Sequence, residues 1–202
     1  MPPFSNRIKL IASICFLAIA YFIHFKQTVH QPTGVLVTKT PVQVNFEKLP
    51  PSFKFKKYRI SPLAEYEIQA RVLSVRTYWW DQMSDFSPID FAVGWNRMSD
   101  SNNINQLDIS QGNRFYFYNW SRTPPIPVDE IISSSANMHL LPADSNVKSA
   151  LMKVRPGQII TLKGQLIEAT GENGSRFRSS LTRTDTGFGA CEIMWVTQIT
   201  SP

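Results

Sequence analysis

The segment TRTDTGFGACEIMWV at residues 182–196 carries two chemical possibilities: the triplet Asp185-Thr186-Gly187 and, six residues beyond Asp185, Cys191. An Asp-Thr-Gly triplet is half of an aspartic-protease site, in which two carboxylates about 3 Å apart share a proton and activate water. One copy would require a dimer, and Asp185 follows the polar run LTRT rather than an apolar strand able to hold a buried dyad. A β-turn that starts at Asp185 and uses Gly187 accounts for the same letters. Cys191 is the second candidate. With His139 as base and Asp144 or Asp185 as orienter it would make the thiol nucleophile of a hydrolase, because such partners need be neighbours only in space. Strand alternation favours a plainer role: Cys191, Ile193 and Trp195 share one face of a predicted strand and Glu192 and Met194 the other, so the thiol reads as a small buried apolar group. His139 then reads as a structural histidine. One histidine and one cysteine in the folded part, with no paired spacing, make no zinc set, and Asp81, Asp85 and Asp90 lack a calcium loop. No metal and no cofactor are expected.

Aromatic residues offer binding rather than catalysis. Trp79 and Trp80 adjoin at the end of a predicted strand, so they point to opposite faces, and one is expected in the core with the other at the surface. In RFYFYNW, residues 114–120, Phe115 and Phe117 face one side and Tyr116 and Tyr118 the other. Exposed Trp and Tyr suit stacking on a sugar ring, a base or a protein partner. Together with the polar loop at residues 95–105, they define a candidate binding face of Trp79, Trp80, Asp81, Trp95, Asn96 and Arg97.

The elements that must position these residues are strands. PVQVNF (41–46) alternates at period two, and in EYEIQARVLSV (65–75) Tyr66, Ile68, Ala70 and Val72 oppose Glu65, Glu67, Gln69 and Arg71. IDFAVGW (89–95), RFYFYNW, and QIITLKGQLIEA (158–169) follow, the last with Gly164 at a position that predicts a bulge or sharp bend. Closing strands are expected over 177–181 and 189–199. One helix is predicted over 145–154, with Asp144 or Ser145 as N-cap and Val147, Ala150, Leu151 and Val154 at helical spacing. The fold class is mainly β: an elaborated small β-barrel or sandwich with an OB-like strand order and one short helix.

The N-terminus sets the location. Residues 8–25, IKLIASICFLAIAYFIHF, are almost continuously apolar, and 18 helical residues at about 1.5 Å each reach ~27 Å, close to the hydrocarbon thickness of a bilayer. Ala18-Ile19-Ala20 fits a signal-peptidase pattern, but the apolar run continues past it through YFIHF, which favours an uncleaved anchor. Arg7 and Lys9 ahead of the span hold the start in the cytoplasm. The expected organisation is a cytoplasmic tail (1–7), a transmembrane anchor (8–25), a linker (26–40) and a β-rich extracytoplasmic domain (41–202). The net charge of +6 is divided the same way: Arg7, Lys9 and Lys26 supply half of it, and the small remainder disfavours nucleic acid as a partner.

FSPID (86–90), AVGWNRMSD (92–100), SANMHLLPA (135–143) and SSLTRTDTGFGACEIMWV (179–196) resemble a family of membrane-anchored bacterial proteins to which no activity is attached. The likeness runs over about residues 62–196. It implies a single-pass protein of the bacterial inner membrane with a periplasmic C-terminal domain, and brings no catalytic residue with it. The leading expectation is therefore a binding or assembly module of the bacterial envelope, with the membrane and either another envelope protein or a glycan as partners. A hydrolase using Cys191 and His139, or Asp185, is the alternative from another class, and a nucleic-acid-binding OB-type barrel is the weaker one.

Overall fold

The computed structural model describes residues 8–16, 27–182, 187 and 190–201. Asp185 and the second half of the expected membrane anchor lie outside the described residues. Residues 8–16 are helical, and among the described residues no helix is long and apolar enough to cross a membrane.

Among the described residues ten strands carry the fold: β1 (Val42–Asn45), β2 (Phe53–Phe55), β3 (Tyr58–Thr77), β4 (Ile89–Gly94), β5 (Asp108–Gly112), β6 (Phe115–Asn119), β7 (Ser135–Pro142), β8 (Ile159–Gly171), β9 (Arg176–Arg178) and β10 (Glu192–Thr200). β3 is the organising element because it is long enough to pair twice. Its first part, from Tyr58 to Arg71, runs antiparallel to β8, and its last part, from Arg71 to Thr77, runs antiparallel to β4. Register shifts at Leu63 and Leu73 bend it between partners, as an extra residue in one strand does. β4 then pairs with β7, β7 with β10 in parallel, β10 with β8, and β8 returns to β3. The hydrogen-bonded path β3-β4-β7-β10-β8 therefore closes on itself, with β1, β2 and β9 added at its margins.

The ring is filled from its inner faces. Tyr66, Ile68, Ala70 and Val72 of β3, Phe91 and Val93 of β4, Met138 and Leu140 of β7, Leu162 and Leu166 of β8, and Met194 and Val196 of β10 form one buried cluster. The Ser145–Leu151 helix closes one end with Val147 and Leu151. It begins where the sequence predicts, since Asp144 Oδ1 accepts hydrogen bonds from the backbone N–H of Asn146 and Val147, both at 2.8 Å. Gly164 sits where a Cβ would lie 1.9 Å from the carbonyl oxygen of Trp195. The irregularity expected at this glycine is carried by the facing strand, where the β10 register slips between Val196 and Gln198.

Several expectations change. RFYFYNW does not enter the ring: β6 pairs only with β5, in a separate two-stranded sheet. The third ring strand is instead SANMHLLP, β7, whose apolar run is continuous rather than alternating and so carries no period-two signal. Helical structure is also more plentiful than one helix, with short turns at Asn96–Ser99, Ser101–Ile104 and Val128–Ser133 besides Ser145–Leu151. Arg71 is placed on a polar face by alternation yet is buried, its Nη1 donating to Ser99 O and Ser101 Oγ. The expected linker packs on the domain: Val37 is buried and its N–H donates to Ser99 Oγ, and Val29 N–H donates to Pro156 O.

Candidate functional site

Register brings the site together across three neighbouring strands. Asp90 on β4 is the cross-strand partner of His139 on β7, and Ile193 on parallel β10 is level with His139 from the other side. Cys191, two residues before Ile193, lies on the Ile193 side of its strand, level with Asn137 and just outside the ring. These outward positions form a row, Asp90, His139 and Cys191, on the face that the β5–β6 hairpin covers.

The hairpin supplies the fourth member. Its two-residue turn is Asn113-Arg114, both with positive φ (51° and 69°), as a tight turn matched to strand twist requires. The turn aims the Arg114 side chain back at the ring. Its Nη1 donates to Asp90 Oδ1 at 2.7 Å, Nε and Nη2 clasp the Asp81 carboxylate at 2.9 and 2.8 Å, and Nη2 also donates to Ser87 O. The guanidinium lies 3.7 Å from the centre of the Tyr78 ring, a cation–π contact. Asp90 is fully buried, and its second oxygen lies 3.0 Å from His139 Nδ1, an electrostatic contact rather than a well-aligned hydrogen bond.

Burial alone would lower the His139 pKa, but the neighbouring side chains of Asp90 and Cys191 outweigh it and raise it to about 9. Burial acts to raise the Asp81 pKa, yet Arg114 and the N–H groups of Met83 and Ser84 hold it below the ordinary carboxylate value. The thiol is further framed by an amide. Asn137 Nδ2 donates to Cys191 Sγ at 3.6 Å and to Arg114 O at 2.9 Å, and Gln111 Nε2 fixes Asn137 Oδ1 at 2.7 Å. The same thiol lies 3.8 Å from Arg114 O.

Cys191 opens onto a cleft of about 220 Å³ between the hairpin and β7, lined by Phe115, Tyr116, Tyr118, Ser135 and Asn137 among others. Burial pushes the phenols of Tyr116 and Tyr118 up, so both stay neutral hydrogen-bonding groups at ordinary pH.

The expected site residues separate into two groups. Cys191 and His139 are brought together, but the orienting carboxylate is Asp90, since Asp144 caps its helix and Asp185 lies outside the described residues. Cys191 is half-buried at a cleft rather than a packed apolar group; the inward face of β10 is the one with Met194 and Val196. Of the aromatic face, Trp79 and Trp80 are both exposed, at 67% and 96%. The expectation that one enters the core fails because β3 ends at Thr77, before the alternation reaches them. Trp95 is buried at 1% exposure and belongs to the ring core, so it offers no surface. Asn96 donates its N–H to Val37 O and Arg97 is paired with Glu130. Asp81 is engaged by Arg114. Asp90, Arg114 and Asn137 were missed, although an Asp inside the otherwise apolar IDFAVG is a visible signal: a buried carboxylate must find a cation. Among the described residues no group of His, Cys, Asp and Glu could hold a metal ion.

In comparisons with family models, with characterised proteins and with solved structures, nothing matches this chain.

Proposed function

We propose that this protein is a membrane-anchored binding module of the bacterial envelope, built on an OB-type barrel, whose extracytoplasmic domain takes a ligand in the cleft beside Cys191. The observation that carries the reading is the position of that cleft. The ring order β3-β4-β7-β10-β8, with β7 and β10 parallel and a helix between β7 and β8, supports reading the ring as an OB-type plan. The cleft lies on β7, the third strand of that plan, and OB-type barrels take oligonucleotides and oligosaccharides across their second and third strands. Tyr116 and Tyr118 offer aromatic walls with hydroxyls, which suit a sugar or a polypeptide.

Trp79 and Trp80 belong to the same end of the barrel. They immediately precede Asp81, which Arg114 holds, and the carbonyl of Arg114 is beside the cleft thiol. Two adjacent indoles left in water are costly unless something covers them, and Trp is the commonest anchor of a protein interface. A nucleic acid is a poor fit, because Arg114, whose carbonyl is beside the cleft thiol, is already neutralised by two carboxylates. The apolar run at residues 8–25 supports the anchor and, with Arg7 and Lys9, the orientation.

Photocrosslinking in intact membranes, with the probe placed at Trp80 and at Tyr118 in turn, tests the reading. One envelope protein or glycan captured from both positions is expected. Capture from neither position, in protein that retains its thermal transition, overturns it.

A further inference from the structure

We propose that Cys191 is the nucleophile of an acyl-transfer site, with His139 taking up its proton, Asp90 orienting the imidazole and the adjoining cleft seating a carboxylic ester, thioester or amide. The inference rests on the cleft being the ligand site and adds a covalent step to it. Residues from β4, β7 and the lead into β10 converge here with the order of roles that a thiol nucleophile needs: sulfur at a cleft, imidazole behind it, carboxylate behind the imidazole. Arg114 bonds Oδ1 of Asp90 and already ties the hairpin to the ring, so the hairpin joint needs no help from His139, which is left to face Oδ2 on one side and the thiol on the other.

Burial opposes a proton on the imidazole, and two adjoining side chains, Asp90 and Cys191, favour it. Asp90 faces it from β4 and Cys191 from the position that leads into β10. Arg114 is on the far side of Asp90 and Asp81 beyond Arg114, while the neutral phenols of Tyr116 and Tyr118 come from the hairpin. A proton passed from the thiol to His139 leaves a thiolate that the amide of Asn137 can stabilise, with its orientation locked by Gln111. In the reaction the sulfur forms a bond to the acyl carbon and the bond from that carbon to the leaving group breaks, with the leaving group departing with the proton from His139. Water then attacks the acyl–sulfur carbon, gives its proton to His139, and the thiolate leaves as the acid is released. No other co-reactant is needed.

The test uses the full chain in detergent, with Cys191 followed separately from Cys15 by peptide mass. Iodoacetamide should alkylate Cys191 at a nearly level rate between about pH 6 and 8, and about tenfold faster at pH 6.5 than in His139→Gln. p-Nitrophenyl acetate should place an acetyl group on Cys191 and release nitrophenolate beyond one equivalent. A wild-type alkylation rate that climbs steadily toward an ordinary thiol pKa of about 8.5 overturns the proposal, and needs no variant to fold. Fast alkylation without acetyl turnover overturns it as well. Neither readout depends on the crosslinked partner, so a failed capture at Trp80 leaves the thiol result to be judged by itself.

Discussion

Asp90 and His139 face each other across the β4–β7 pair with 3.0 Å between Oδ2 and Nδ1, and the side chains are 0% and 7% exposed. Each oxygen of the carboxylate thus serves a different cation, Arg114 on one side and the imidazole on the other. This makes His139 a source of pH-dependent stability. Its folded pKa of about 9 stands above the ordinary 6.5, so its contribution is fully present below about pH 6.5 and is lost as the pH rises through about 9. Urea unfolding at stepped pH should show stability falling across that window by up to about 3 kcal/mol, and the fall should vanish in His139→Gln. An equal fall in both proteins would assign the titration elsewhere.

Arg114 is the joint between hairpin and ring, and its removal should be severe. Arg114→Met leaves Asp90 buried without its principal cation, a loss of about 3 to 5 kcal/mol when one member of a buried pair is taken away. Pairing it with Asp90→Asn should recover much of that loss, because the stranded charge is then gone. Denaturant midpoints of the wild type, both single variants and the double variant give the coupling directly. Additive losses would show that the pair is not the cause.

How much of this was legible follows from what each residue can signal. Strand β3 was readable because Tyr66, Ile68, Ala70 and Val72 alternate with polar neighbours, and the Ser145–Leu151 helix because Asp144 announces its start. β7 was not, since Met138, His139, Leu140 and Leu141 are buried on both sides, one face by the ring and the other by the hairpin and outer aromatics, so no period appears. Cys191 and His139 were visible as types. Their meeting was not, because it depends on the parallel pairing of β7 with β10, which is set by ring closure rather than by any local pattern. Trp79 and Trp80 escape the period-two rule because they lie two and three residues past Thr77, where β3 ends.

Gly164 has a role that no side chain can share. Its φ is +158° and a Cβ would meet the backbone of Trp195 at 1.9 Å, an atom that cannot move without opening the β8–β10 pair. Gly164→Ala should therefore cost about 2 to 3 kcal/mol, far beyond the few tenths expected of an exposed strand position. Thermal unfolding checks this, and a melting temperature within error of the wild type would mean that β10 adapts its bulge freely.

The exposed tryptophans separate folding from binding. Both lie outside the cores, so Trp79→Ala and Trp80→Ala should each change stability by less than about 0.5 kcal/mol, with no inequality between them. Binding should respond differently. Trp80, at 96% exposure, presents nearly its whole indole to a partner, and if it anchors one its truncation should weaken capture by ten-fold or more, which corresponds to about 1.4 kcal/mol or more of interface energy. Trp79, less exposed and nearer to Tyr78, should matter less. Quantified recovery of the crosslinked species, read beside thermal transitions of the same preparations, decides the matter. Unchanged recovery in both variants would remove this loop from the interface and leave the cleft between the hairpin and β7 to hold the ligand alone.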